Sequence, residues 1–354
     1  MKPPAGHRGG LPMEAVSDLD TAKLTAWMYA NVAGFAGPLR YAKFPGGQSN
    51  PTYRIDAASG AYVLRRKPFG PLLPSAHAVD REYFLISKLH PLGFPVARTF
   101  GLCEDDEVLG SAFYVMELVE GVTYWDGSLP DKTPDERSAI YFEMCDRLAQ
   151  LHNIECERAG LGDYGKPGSY FERQVGRWTK QYRLAQTDDL PDVEKLIEWL
   201  PRTLPPQTRT SVVHGDYRID NMIFDAERSQ VKAVLDWELS TLGDPMADFS
   251  YLLMNWMIPA NGASGIAGIT GPETGIPTVE AMVERYCTAT GRDGIPDLNW
   301  YFAFGQFRLM SIVQGIKKRL LDGNASNAHA QETAARVPGL AASAWEFARK
   351  AGAS

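Results

Sequence analysis

Three oxygen-bearing side chains, Asp216, Asn221 and Asp236, sit in two neighbouring segments, Ser211-Val212-Val213-His214-Gly215-Asp216-Tyr217-Arg218-Ile219-Asp220-Asn221-Met222-Ile223-Phe224 and Val231-Lys232-Ala233-Val234-Leu235-Asp236-Trp237-Glu238. The apolar runs Met222–Phe224 and Val231–Leu235 flank the polar stretch Asp225–Gln230 and read as a hairpin. Pairing them brings Asn221, at the mouth of one strand, beside Asp236, at the end of the other. Asp216 precedes both on an irregular loop and overhangs the same point. An amide oxygen beside a carboxylate is a pair of hard ligands suited to Mg²⁺, which favours oxygen and keeps substrate phosphates in its shell. A separate carboxylate nearby can accept the proton of a hydroxyl. Metal charge on the phosphates and a base that orients the acceptor are what phosphoryl transfer from a nucleotide requires.

The remaining sequence must hold these groups, and its periodicity changes part-way along. A helix is predicted over Leu19–Val32, followed by short strands at Leu39–Phe44, Thr52–Ile55 and Ala61–Arg65, the last two joined through Asp56–Gly60. A helix over Ala76–His90 and strands at Arg98–Cys103 and Phe113–Leu118 complete a first lobe, residues 1–118. From residue 119 to 354 the pattern is helical. Thr133-Pro134-Asp135-Glu136 is a capping box with proline at the first helical position. Further helices are expected near Phe171–Ala185, Val193–Leu200, Met246–Met257, Thr278–Thr290 and Trp300–Leu321, with one closing the chain.

The spacing His-x-Asp-x-x-x-x-Asn, then a hairpin and an Asp, is that of the kinase catalytic and metal loops. Over roughly Tyr41 to Leu321 the chain resembles the aminoglycoside phosphotransferase family, a small-molecule branch of the protein-kinase-like fold. Within it the chain is most similar to the kinase-like segments fused to some acyl-CoA dehydrogenases. The resemblance implies an α+β, bilobal fold with a β-rich N-lobe, a mainly helical C-lobe and ATP between them. It implies Asp216 as the catalytic carboxylate, His214 as the histidine that shapes its loop, and Asn221 and Asp236 as Mg²⁺ ligands. Arg218, two residues after Asp216, is a candidate for the transferring phosphate or a substrate acid group, or for a surface salt bridge. Phe44–Asn50 matches the loop over the phosphates, with Gly46 and Gly47 for backbone approach and Ser49 for a side-chain contact. Arg65 occupies the place of the strand lysine, with Lys67 two residues on, and Glu82 matches the acid that holds that cation. Glu117 and Val119 fall where backbone groups pair with adenine. Asp248 is expected to accept backbone N–H bonds from the catalytic loop. Asp236 is followed by Trp237-Glu238 rather than Phe-Gly, which suits the small-molecule branch and disfavours a protein substrate.

Composition narrows the classes. With 354 residues, 44% hydrophobic and 22% charged, the chain has the makeup of an ordinary globular protein of two lobes. Thirty-six basic against 43 acidic side chains, net −7, disfavour nucleic-acid or anionic-membrane partners. Cys103, Cys145, Cys156 and Cys287 are scattered without a CxxC pair, so reduced thiols are expected. The N-terminal MKPPAGHRGGLP lacks the apolar core of a signal peptide, and the apolar part of the charge-free run from Phe249 stops at Ile258. The expectation is a soluble, cytoplasmic enzyme: an ATP- and Mg²⁺-dependent kinase for a hydroxyl of a small molecule, with a hydroxyacyl-CoA as the acceptor that the resemblance suggests. Arg308 and Lys317-Lys318-Arg319 are candidate cations for the CoA phosphates, the alternative for the cluster being cations that favour the dipole at a helix C-terminus. A catalytically idle nucleotide-binding module and an aminoglycoside kinase are the alternatives.

Overall fold

The computed structural model describes residues 18–44, 50–70, 78–260, 262–295, 297–323 and 328–354. Helix α1 (Thr21–Asn31) starts at Asp20, whose carboxylate accepts the N–H groups of Ala22 and Lys23. Five strands follow: β1 (Leu39–Lys43), β2 (Thr52–Ala57), β3 (Gly60–Arg66), β4 (Thr99–Cys103) and β5 (Phe113–Glu117). Helix α2 (Val79–Leu89) lies between β3 and β4, and the single-turn α3 (Asp106–Leu109) between β4 and β5. The strands form one antiparallel sheet in the order β1-β2-β3-β5-β4. The β2–β3 connection is tighter than the sequence suggests: Ala57 pairs with Gly60, leaving only Ala58 and Ser59 in the turn. Leu24 and Met28 of α1 are fully buried with Tyr53, Ile55, Leu64, Phe113 and Val115, so α1 belongs to this core rather than standing apart from the sheet.

Helix α4 (Pro134–His152) begins at the expected capping box, with Thr133 and Glu136 bonding reciprocally. We expect Thr133→Ala to cost about 1 kcal/mol, read as a lower urea midpoint at unchanged slope. Then come α5 (Tyr170–Ala185), α6 (Pro191–Arg202), β6 (Ser211–Val213), β7 (Met222–Phe224), β8 (Val231–Val234) and β9 (Thr241–Gly243). The hairpin β7–β8 is as expected, whereas the pairing of β6 with β9 was hidden because three-residue strands carry too little periodicity to read. Helices α7 (Met246–Leu253), α8 (Val279–Thr290), α9 (Leu298–Leu321), α10 (Ala328–Ala334) and α11 (Val337–Lys350) complete the chain. The predicted helix over Met246–Met257 breaks after Leu253 into a 3₁₀ turn at Met254–Met257. One continuous apolar core joins the inner face of α2 (Leu85, Ile86, Leu89) to α4, the β7–β8 hairpin and α9. The four cysteines are free thiols, and no helix among the described residues is long and apolar enough to cross a membrane.

Candidate active site

The loop between β6 and β7 is shaped from below by a buried carboxylate. Asp248, near the start of α7, is fully buried and accepts the backbone N–H of His214 at 2.5 Å and of Gly215 at 2.8 Å. Burial opposes its ionisation, but the His152 imidazole and the N–H of Gly215 outweigh it and hold the carboxyl below its ordinary range. Gly215 has φ +87°, and a Cβ there would stand 2.9 Å from the Leu239 carbonyl oxygen, so both conformation and space require glycine.

His214 is buried and ties two segments together. Its Nδ1 accepts the Asp216 N–H at 3.1 Å, so Nε2 carries the proton and donates to the Leu235 carbonyl at 2.8 Å. Both nitrogens are thereby used, and the ring packs 4.6 Å from Trp237. The histidine ties the Asp216 and Asp236 loops together.

Asn221 ends a 3₁₀ turn (Ile219–Asn221) and gives both amide hydrogens to Asp216, at 2.9 Å to the backbone oxygen and 3.0 Å to Oδ2. Its own carbonyl accepts the Leu235 N–H at 2.8 Å, which couples it to the residue before Asp236. Asp216 Oδ1 accepts the Tyr251 hydroxyl at 2.7 Å. Tyr251 escaped the sequence reading, although its spacing held a signal: it stands three residues after Asp248 on α7, hence on the same helix face. Arg218 makes no hydrogen bond to Asp216 among the described residues. Asp220 holds its guanidinium in a two-point contact at 2.9 and 2.6 Å, the salt-bridge alternative of the sequence analysis.

Asp236 adopts a left-handed backbone, φ 65° and ψ 63°, a region that Asp enters more readily than most residues. Its Oδ1 receives Arg65 Nη2 at 2.6 Å. Arg65 also reaches Glu82 Oε2 at 2.9 Å through Nε, so one guanidinium on β3 joins the buried acid of α2 to the loop after β8. Full burial works against the Glu82 carboxylate, and the Arg65 charge and the Trp237 N–H are what oppose it. Lys67 lies past the end of β3 and makes no ion pair among the described residues. Removing Arg65 strands a buried carboxylate, so Arg65→Ala should cost about 3 kcal/mol or more. Lys67→Ala should leave thermal stability within the scatter of repeat scans. The reverse ranking in a melting comparison would move the pairing role to Lys67.

Glu117 ends β5, its N–H engaged by the Arg98 carbonyl at 2.8 Å. Val119, just beyond, has no backbone hydrogen bond among the described residues. Gly46, Gly47 and Ser49 lie outside the described residues. Arg308 is turned inward: Nη2 donates to the Gly215 carbonyl at 2.9 Å, and its guanidinium lies 5.7 Å from the Trp178 ring and 5.4 Å from the Tyr251 ring. Lys317 pairs with Asp188 and Lys318 with Asp322, which accounts for two of the three clustered cations as surface pairs.

Residues 40–301 match the model of the phosphotransferase enzyme family, abbreviated APH. The chain belongs to this family. Among curated family relatives, acyl-CoA dehydrogenase family member 10 of Mus musculus is 46% identical over 318 residues, 89% of this chain and 30% of that protein. Acyl-CoA dehydrogenase family member 11 of Homo sapiens is 38% identical over 314 residues, 87% of this chain and 40% of that protein. The phosphotransferase-family chain thus spans less than half the length of these relatives. A solved structure from Ralstonia eutropha, a candidate aminoglycoside phosphotransferase, superimposes with a TM-score of 0.87 at 46% identity, covering 94% of this chain and 98% of that one. A thermostable mutant of aminoglycoside phosphotransferase APH(4)-Ia, in ternary complex with ADP and hygromycin B, shares the fold with a TM-score of 0.58 at 15% identity, covering 94% and 98%. The fold is the bilobal, α+β, kinase-like one that the family resemblance implies.

Proposed function

We propose that the protein is an ATP- and Mg²⁺-dependent phosphotransferase acting on a hydroxyl of a small anionic molecule, with a hydroxyacyl-CoA as the acceptor. In this reading residues 1–118 cover the nucleotide and 119–354 carry the catalytic and metal loops. The observation that carries it is the convergence of Asp216, Asn221 and Asp236, the first two in direct contact and the third tied to Asn221 through the Leu235 N–H. The ADP complex of APH(4)-Ia supports the choice of nucleotide.

The donor set fits a hard divalent ion. Asn221 spends its NH₂ end on Asp216, which turns its oxygen away from that residue, and Asp236 commits one oxygen to Arg65 and keeps the other. When bound between them, Mg²⁺ supplies positive charge to the donor's phosphates. Arg65, held by two carboxylates, contributes a fixed cation for the α- and β-phosphates, and Gly46, Gly47 and Ser49 the covering loop. The Glu117 carbonyl and the Val119 N–H are the backbone groups for adenine. Asp216 orients the acceptor hydroxyl and takes its proton as the phosphoryl group moves.

We infer that cations meet the acceptor. Arg308 lies between Trp178 and Tyr251, and Arg177 sits 5.4 Å from the same indole. In this reading the two guanidiniums would favour an acceptor that carries carboxylates or phosphates over a polycationic amino sugar. The kinship with acyl-CoA dehydrogenase family members supports an acyl thioester, whose hydroxyl leaves well once phosphorylated. The test is ADP release with Mg·ATP and, side by side, a hydroxyacyl-CoA, its free hydroxy acid and an aminoglycoside. Turnover of the thioester above both others is expected. Turnover confined to the aminoglycoside would overturn the acceptor class, and equal rates for acid and thioester would remove CoA from recognition.

A further inference from the structure

Asp216 has protein donors on both carboxylate oxygens: Asn221 Nδ2 on Oδ2 at 3.0 Å and the Tyr251 hydroxyl on Oδ1 at 2.7 Å. The asparagine is accounted for by its place beside the metal site, whereas nothing in the nucleotide chemistry calls for the tyrosine. The ring is clamped: Arg308 lies 5.4 Å from its centroid and is itself fastened to the Gly215 carbonyl. Burial, then the charge of Asp216, push the phenol well above its ordinary range against the pull of Arg218 and Arg308, so it remains a donor at any pH at which the protein works. Asp248 fixes the backbone of the catalytic loop from one position of α7, and Tyr251 reaches its key side chain from the next turn of the same helix.

We propose that Tyr251 is a positioning residue: its hydroxyl sets the plane of the Asp216 carboxylate so that the remaining lone pairs face the acceptor hydroxyl. This rests on the phosphotransferase reading above. A carboxylate offers about four lone-pair sites. Tyr251 and Asn221 take one on each oxygen, which leaves one on each for an acceptor. The terminal torsion of Asp is broad and roughly two-fold, so a carboxylate held by a single donor turns freely, and two donors on different oxygens fix it. Alignment of this kind acts on the rate of transfer and not on nucleotide binding.

Tyr251→Phe removes only the hydroxyl. A roughly tenfold or larger fall in kcat is expected, from the loss of a hydrogen bond to a charged group. The KM for ATP should stay unchanged, whereas the melting temperature should fall modestly because the bond is present in the resting fold. In an Asp216→Asn background the same substitution should cause no further fall, because the group it aligns is already gone. A hydroxyl that merely packs α7 would depress turnover equally in both backgrounds, and that result overturns the proposal, as does a kcat within twofold of the parent. A readout free of turnover is the crystal structure of Tyr251→Phe beside that of the parent protein, in which the Asp216 carboxylate should be rotated or split between orientations. If the parent protein releases no ADP with any acceptor, the phosphotransferase reading has failed by itself. The crystallographic comparison then judges Tyr251 alone, and an unmoved Asp216 plane overturns its role.

Discussion

Replacing Asp216 by Asn should cut phosphoryl transfer by about 10²–10⁴-fold while leaving the fold and nucleotide affinity in place. The substitution is nearly isosteric, and Asn retains one oxygen, so one of the two donors that converge on the side chain, Tyr251 and Asn221, stays satisfied. The other meets an NH₂ group instead, at a cost of about 1–3 kcal/mol that a folded protein of this size can absorb. What disappears is the negative charge that orients and deprotonates the acceptor. Steady-state ADP release with the best acceptor gives the rate, and calorimetric titration with Mg·ATP gives the affinity. Near-normal turnover would remove Asp216 from the role of base. Equal losses of turnover and of nucleotide affinity would make it a structural residue.

The second large effect is expected at Asp236. Asp236→Asn preserves the left-handed backbone at φ 65°, because Asn tolerates that region as Asp does, and so isolates the loss of charge from backbone strain. Arg65 keeps its contact with Glu82, so the β3–α2 connection survives. The proposed divalent site would be left with amide oxygens alone. Mg²⁺-dependent nucleotide affinity should fall by at least tenfold and turnover should become undetectable, while the metal-independent component of nucleotide binding changes little. Titration of ATP with and without Mg²⁺ separates the two components. Unchanged Mg²⁺ dependence would show that Asp236 is an anchor for Arg65 and not a metal ligand.

Much of this site could be read in the sequence because its chemistry depends on short-range spacing. The run from His214 to Asn221 and the apolar flanks of Asp225–Gln230 specify a loop and a hairpin, and the hairpin forms with Met222 opposite Val234. Arg65 and Glu82 were reachable only through resemblance, since a strand cation and a helix acid separated in sequence announce no contact by themselves. The sequence also left the role of Arg218 open between a phosphate and a surface partner. In the structure Asp220, two residues on, pairs with the guanidinium. The contacts of Tyr251, Arg308 and Trp178 were not legible, because α5, α7 and α9 meet around the catalytic loop through tertiary packing that no local pattern encodes. In the N-lobe, α1 was foreseen as a helix, but its burial against the sheet through Leu24 and Met28 emerged only from the three-dimensional arrangement.

The proposed function requires that a phosphoryl group pass from a nucleotide to a hydroxyl of a small molecule under the control of Asp216. Phosphorus NMR of the protein with Mg·ATP and a hydroxyacyl-CoA tests it in one spectrum series. The expected result is a new phosphomonoester resonance growing in step with ADP, absent without the acceptor and absent in Asp216→Asn. ADP accompanied only by inorganic phosphate, or a phosphomonoester that forms equally well in Asp216→Asn, would contradict it.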